Sequence, residues 1–361
     1  MISTSPMRIF LRSAMLLAVS GFFLLATTAS AQDVPATGTS GDDHGGLADP
    51  WFSTFSIIVY DPDTGEHGVA VQSRAFGAGA AVPYAKSGVG AIATQAAANR
   101  QYGPLAIELL EEGLSPEEVV RRITDDDAHR DRRQVAVMDA EGRSAVYTGS
   151  FVQERGSDPE AMLPSWAGHL IEPNVSAQGN TLAGEEVVEA MVRAYEEGEG
   201  EMAERLMDAL EAAQAAGGDV RGMQSAGILV VRPLTDYPDD TVERVMDIRV
   251  DDAVDPYAEL RRVMNVRLSG RHAQRSAQLA EEGRFVEALE EQKKVAEMNP
   301  HREGPHYGLA QRYAQVGEYL NALRSLDRAL ELQPRLNREA AADEAFVEMR
   351  DLVEFQRLVE G

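Results

Sequence analysis

No cysteine occurs anywhere in the 361 residues, and tryptophan occurs only twice. Without thiols there can be no disulfide, no thiolate metal site and no cysteine nucleophile, so the chain must hold together through its core alone. Basic residues are scarce as well: 34 Lys and Arg stand against 59 Asp and Glu, a formal charge of −25. A field of that sign repels phosphate, which argues against nucleic acid as a partner and against anionic membrane surfaces. Several catalytic signatures are also missing. The histidines are scattered, with His129 and His169 in loop-like surroundings, and none forms an HExxH or a two-His pair at ligand spacing. There is no GxSxG elbow and no glycine-rich phosphate loop with its lysine. No metal or cofactor is therefore implied.

The N-terminus sets the expected compartment. Arg8 and Arg12 precede an apolar run from Ala14 to Ala26, which is followed by Ala29-Ser30-Ala31. A basic segment, a short apolar core and a small-x-small site are the signature of a secretory leader. The run is too short for a bilayer, which needs roughly 20 apolar residues. The sequence predicts cleavage after Ala31, export to the periplasm or beyond, and a mature chain that is not embedded in a membrane. Residues 32–49 are rich in Gly, Asp and Thr and lack aromatics, which is linker composition.

With 44% hydrophobic residues the remainder can bury a core, and about 330 residues suit two domains. Phe52–Tyr60, the turn-forming Asp61-Pro62-Asp63-Thr64-Gly65 and Gly68–Ser73 read as a β-hairpin. Val89–Gln95 is a further strand, and Gln134–Asp139 with Ser144–Thr148 a second hairpin. Helices are expected at Pro104–Glu112, Pro116–Asp125, Gly184–Glu196, Glu201–Ala215 and Pro256–Val266. Strands are expected at Ala226–Arg232 and Met246–Val250. This order does not alternate as βαβ units do, and it predicts an α+β domain over residues 50–266.

From residue 267 to 361 the character changes. Gly283-Arg284-Phe285 recurs as Gly317-Glu318-Tyr319, Ala288-Leu289 as Ala322-Leu323 and Pro300 as Pro334, each pair 34 residues apart. That is the tetratricopeptide period, so an all-α module of helical hairpins with a capping helix is expected. Gln292 sits where the repeat would place an apolar residue. Such a module can bind a peptide or protein partner, or serve only for oligomerisation or for packing against the first domain.

Chemistry must come from clusters of small and polar residues near strands. These are Ser53-Thr54-Phe55-Ser56, Gln72-Ser73-Arg74, Gln178-Gly179-Asn180, and Gly217-Gly218-Asp219-Val220-Arg221-Gly222-Met223-Gln224-Ser225. Glycines beside amides and hydroxyls suit a ligand that approaches the backbone closely. They suit turns and helix caps as well.

The segment Thr54–Val71 resembles the opening of the family catalogued as domain of unknown function 1028. So do Gly88–Gln95, Trp166-Ala167-Gly168-His169, Gln178-Gly179-Asn180, and Gly217-Gly218-Asp219 with Arg221 and Gln224-Ser225-Ala226. The resemblance covers residues 52 to 262 and many separated motifs. It implies a fold like the N-terminal-nucleophile hydrolases, a four-layer αββα sandwich. It also implies a chemistry in which Thr54 attacks an amide carbonyl and its own α-amine acts as base. Asn180 or Gln178 would then contribute to an oxyanion site, with Ser73, Arg74, Asp219, Arg221, Gln224 and Ser225 positioning the amine or a small amide or peptide substrate. Cleavage after Ala31 leaves Thr54 inside the chain, so this chemistry requires a second cut between Ser53 and Thr54. The alternative is a non-catalytic binding or scaffold protein that works through its repeats.

Overall fold

The computed structural model describes residues 54–156, 165–234 and 243–360. The expected leader and linker, residues 1–49, lie outside them.

Ten strands form two antiparallel sheets. They are β1 (Thr54–Asp61), β2 (Glu66–Ser73), β3 (Pro83–Lys86), β4 (Gly90–Ala96), β5 (Arg133–Asp139), β6 (Ser144–Thr148), β7 (Trp166–Glu172), β8 (Val175–Leu182), β9 (Ser225–Val231) and β10 (Arg244–Val250). The larger sheet has the order β10-β9-β2-β1-β8-β7 and the smaller β3-β4-β5-β6. The first hairpin closes as its composition demands. Asp61 Oδ1 accepts from the Asp63 N–H at 2.9 Å, and Gly65 takes the left-handed φ of 72° that a side chain would resist.

Strand alternation then decides the layers. On β1, Phe55, Ile57 and Val59 face helices, together with Ala226, Ile228 and Val230 of β9. Ile58 of β1 points the other way and meets Val69, Val71, Ala91, Ala93, Ala136 and Met138 between the sheets. Ile92, Val135 and Val137 face outward from the smaller sheet onto a second helical cover. Alanine on the smaller sheet lets the two sheets approach, while branched side chains on the larger one fill the gap.

The helices are α1 (Ala78–Ala81), α2 (Tyr102–Glu111), α3 (Pro116–Asp125), α4 (Ser150–Gly156), α5 (Glu186–Glu197), α6 (Met202–Ala215), α7 (Pro256–Glu281), α8 (Phe285–Met298), α9 (Glu303–Gln315), α10 (Tyr319–Leu332), α11 (Leu336–Ala342) and α12 (Val353–Glu360). The amphipathic α5 and α6 cover the larger sheet, with Val188, Met191, Leu206 and Leu210 fully buried against it. Each such side chain contributes about 1.5–3 kcal/mol. α2 and α3 cover the smaller sheet. α3 begins with Ser115 as its cap: Ser115 Oγ accepts from the Glu118 N–H, and the Glu118 carboxylate accepts from the Ser115 N–H. These reciprocal bonds satisfy two of the N–H groups that a helix start leaves open.

Several features differ from the sequence expectation, among them the short helices α1 and α4 and the place of His169 within β7 rather than in a loop. β7 and β8 form a hairpin that glycine and polar content had hidden, and β8 is a central strand beside β1. β3 was also not expected. The helix expected to end at Val266 continues to Glu281, because no proline or glycine cap interrupts it near that point.

The C-terminal region is wholly helical, with α7–α8 and α9–α10 as adjacent pairs. α8 and α10 start 34 residues apart, at Phe285 and Tyr319. The out-of-pattern Gln292 is buried and donates from Nε2 to Pro305 O at 3.1 Å, which removes the cost of an unpaired amide. Among the described residues no helix is long and apolar enough to cross a membrane.

Candidate functional site

At one end of the space between the sheets the apolar filling gives way to hydroxyls and amides. Asn180, Thr54, Ser73 and Ser225 stand in one cross-strand row, since Thr54 pairs with Asn180 on one side and Ser73 on the other, and Ser73 pairs with Ser225. A pleated sheet points directly opposed residues to the same face, so strand pairing alone gathers four residues from four strands, two of them the first hairpin and two from far along the chain. Thr54 is 6% exposed and Ser73 and Asn180 1% each. The Thr54 and Ser73 hydroxyls are hydrogen-bonded, Oγ1 to Oγ, at 3.0 Å.

The facing sheet contributes Gln95 and Gln134, which the sequence analysis did not single out. Gln95 Nε2 lies 2.8 Å from Gln134 Oε1, 3.3 Å from Thr54 O and 3.4 Å from Gln178 O. Gln95 Oε1 accepts from Ser56 Oγ at 2.6 Å, and Ser56 Oγ in turn accepts from Gln178 Nε2 at 2.5 Å. Asn180 Nδ2 reaches Gln134 Oε1 at 3.0 Å and Thr54 O at 3.4 Å. This is a closed polar seam in a low-dielectric layer, where each bond counts for more and each vacancy costs more. A long polar side chain at the end of an otherwise apolar strand was the available signal for both glutamines.

The glycine-rich loop after α6 supports the same row from outside. Gly217, at φ 115°, passes so close to Ala183 that a Cβ there would lie 2.5 Å from the alanine Cβ. Asp219 follows with its side chain fully buried. Its carboxylate accepts from the Arg74 N–H at 3.1 Å, from the Arg221 N–H at 2.9 Å, and from the Arg221 guanidinium at 3.2 Å. A buried carboxylate must be paired in this way, and the pairing ties the loop to the end of β2 just beyond Ser73. Arg74 Nη1 donates to Met223 O at 2.8 Å, and the Gln224 N–H donates to Ser73 O at 3.0 Å. Ser225 Oγ donates to Ala75 O at 2.6 Å and accepts from the Ala78 N–H.

The structure thus gathers Thr54, Ser73, Asn180 and Ser225 in one row, with Arg74, Asp219 and Arg221 behind it. Gln178 lies one register step deeper, opposite Ser56, with its amide committed there. The Gln224 side chain turns to Asp252 at an exposed position. Two non-glycine residues take left-handed backbone at this site, Thr181 with φ 57° directly after Asn180 and Ala96 with φ 60° directly after Gln95. Such conformations cost about 1–2 kcal/mol per residue for an L side chain, and they cluster where function constrains the backbone.

The opposite end of the β1–β2 hairpin holds a separate cavity of about 250 Å³ lined by Asp61, Glu66, Glu201 and Arg271 among others. Burial, then the charges of Asp61 and Glu201, raise the Glu66 pKa above the usual carboxylate value. Among the described residues no three His, Asp or Glu side chains gather closely enough to hold a metal ion.

A crystal structure of a protein from Silicibacter pomeroyi is 31% identical and superposes with a TM-score of 0.50, covering 59% of this chain and 84% of its own. That protein is assigned to the DUF1028 family. No curated protein matches. The family described as a family of unknown function, DUF1028, matches residues 54–260 and so takes in the whole polar row. The chain belongs to the DUF1028 family.

Proposed function

We propose that this protein is an exported amide-bond hydrolase whose nucleophile is Thr54, exposed as an N-terminal residue by cleavage between Ser53 and Thr54. One observation carries the reading: Thr54 opens the central strand at the polar end of the inter-sheet space, flanked by Asn180 and hydrogen-bonded through Oγ1 to Ser73 Oγ at 3.0 Å. Two sheets face to face with helices outside, and a threonine at the start of a central strand, are also what the αββα arrangement of the N-terminal-nucleophile hydrolases would require. In that chemistry the α-amine takes the hydroxyl proton as Oγ1 attacks the carbonyl carbon. It then gives that proton to the departing amine, leaving an ester on Thr54 that water hydrolyses. Ser73 Oγ is placed to steady the hydroxyl that attacks.

The experiment has two parts. N-terminal sequencing of the mature protein should return Thr54, and a mature chain that begins only at Gln32 would sink this reading. Assayed against a panel of amides, Thr54→Ala should lose at least ~10³-fold in turnover with its fold intact.

A second reading, a non-catalytic binding protein, draws on the C-terminal helices read as tetratricopeptide units. Val286 and Leu320 are exposed at equivalent places near the starts of α8 and α10. Under that reading Thr54 stays internal, no amide turns over, and deletion of residues 283–361 removes a protein partner.

A further inference from the structure

The polarity of the amides at this site can be derived from backbone groups that have no choice of role. Gln134 Nε2 lies 3.0 Å from Gly179 O and 3.2 Å from Gly168 O, with Thr148 Oγ1 at 3.0 Å. Carbonyl oxygens only accept, so the nitrogen of Gln134 must face them and its Oε1 must face the seam. Two amides meet that oxygen, Gln95 at 2.8 Å and Asn180 at 3.0 Å, and each must present its nitrogen to it. Neighbouring acceptors agree with this assignment: Gln95 Nε2 also approaches Thr54 O and Gln178 O, and Asn180 Nδ2 also approaches Thr54 O. With its nitrogen directed into the seam, Asn180 turns its carbonyl oxygen the other way.

We infer that Gln134 is a positioning residue that fixes this direction, so that Asn180 offers Thr54 an acceptor for its α-amine and not a donor for an oxyanion. The inference rests on the reading of Thr54 as an N-terminal nucleophile, and it reassigns Asn180 within it. An acceptor there holds the amine beside its own hydroxyl in the orientation that proton transfer needs. Gln134 acts from the other sheet and touches neither the amine nor the hydroxyl.

The test uses a chain that begins at Thr54, made with an initiator methionine that is removed, since every described element lies within it. The pKa of the α-amine is read from the pH dependence of its labelling by acetic anhydride. Asn180→Asp should raise that pKa by about one unit or more, because a carboxylate in the acceptor's place holds the ammonium form. Gln134→Leu should lower it by freeing the Asn180 amide to turn. Thr148→Val should leave it in place, since the two backbone carbonyls still hold Gln134. An Asn180→Asp amine that titrates like the parent's would overturn the inference. Should that variant not fold, exchange of the Asn180 Nδ2 protons in the unsubstituted chain decides by NMR. Slow exchange that Gln134→Leu accelerates supports the lock, and exchange at the rate of a free amide refutes it. Sequencing of the natural N-terminus tests the parent reading separately, because this chain carries the free amine however the natural protein is processed.

Discussion

At the scale of single residues, strain and burial make opposing demands that can be measured. Thr181 holds φ 57° with a β-branched side chain. Relief of about 1–2 kcal/mol of strain outweighs the 0.4–1 kcal/mol that glycine gives back through a freer unfolded chain. Thr181→Gly should therefore raise stability by roughly 0.5–1 kcal/mol in urea unfolding, and a loss instead would mean the local backbone is not strained. Tyr195 buries its hydroxyl, which has no hydrogen-bond partner among the described residues. A group in that position costs about 1–3 kcal/mol, so Tyr195→Phe should stabilise, and a destabilised variant would reveal a partner such as ordered water. His67 is buried between the sheets, with Nε2 bound to Asp139 O at 3.0 Å and no partner for Nδ1 among the described residues. Burial, the largest cause, lowers its pKa below the ordinary 6.5. The unfolded chain then binds a proton first on acidification. Stability from this residue is complete above about pH 6.5 and falls by about 1.4 kcal/mol per pH unit until the folded ring protonates. His67→Gln should flatten that part of the pH–stability curve.

At the scale of elements, the polar seam is worth more for order than for net energy. Each hydrogen bond contributes only about 1 kcal/mol net, but an abandoned partner costs about 1–3 kcal/mol. Gln95 serves Ser56, Gln134, Thr54 and Gln178 together. Gln95→Leu strands several of them and should cost at least ~3 kcal/mol, read as a fall in the urea midpoint; a cost below 1 kcal/mol would show that water replaces it. How much was legible in the sequence also varied by element. Apolar periodicity and Pro116 behind Ser115 marked α3, and Asp61–Gly65 marked the first hairpin, because those signals act within a few residues. β8 was missed as a strand because Ser176, Gln178 and Asn180 put its polar face between the sheets, where the usual pattern has apolar side chains. That face is polar for the sake of the seam, and only Gln95 and Gln134 from the other sheet account for it.

At the scale of the whole molecule, α7 joins the sheet-bearing region to the C-terminal helices without a break. Its first half buries Leu260, Met264 and Leu268 in the core of the larger sheet, and its second half buries Ser276 and Leu279. A chain cut after residue 266 loses Leu268 and should be destabilised by about 2–5 kcal/mol. One cut after Glu282 keeps that core and should unfold close to the parent. Equal stability of the two truncations would refute the account of α7 as a shared element.

The sequence by itself determined the composition limits, the 34-residue repeat, most helices and hairpins, and the presence of Thr54, Ser73, Asn180 and Asp219 in separate motifs. These follow from local periodicity, turn chemistry and the family's motifs. Only the tertiary structure decided that Asn180, Thr54, Ser73 and Ser225 share one row and that Gln95 and Gln134 close it from the opposite sheet. Register between strands more than a hundred residues apart is set by which faces can be buried together, and no short window of sequence contains that information.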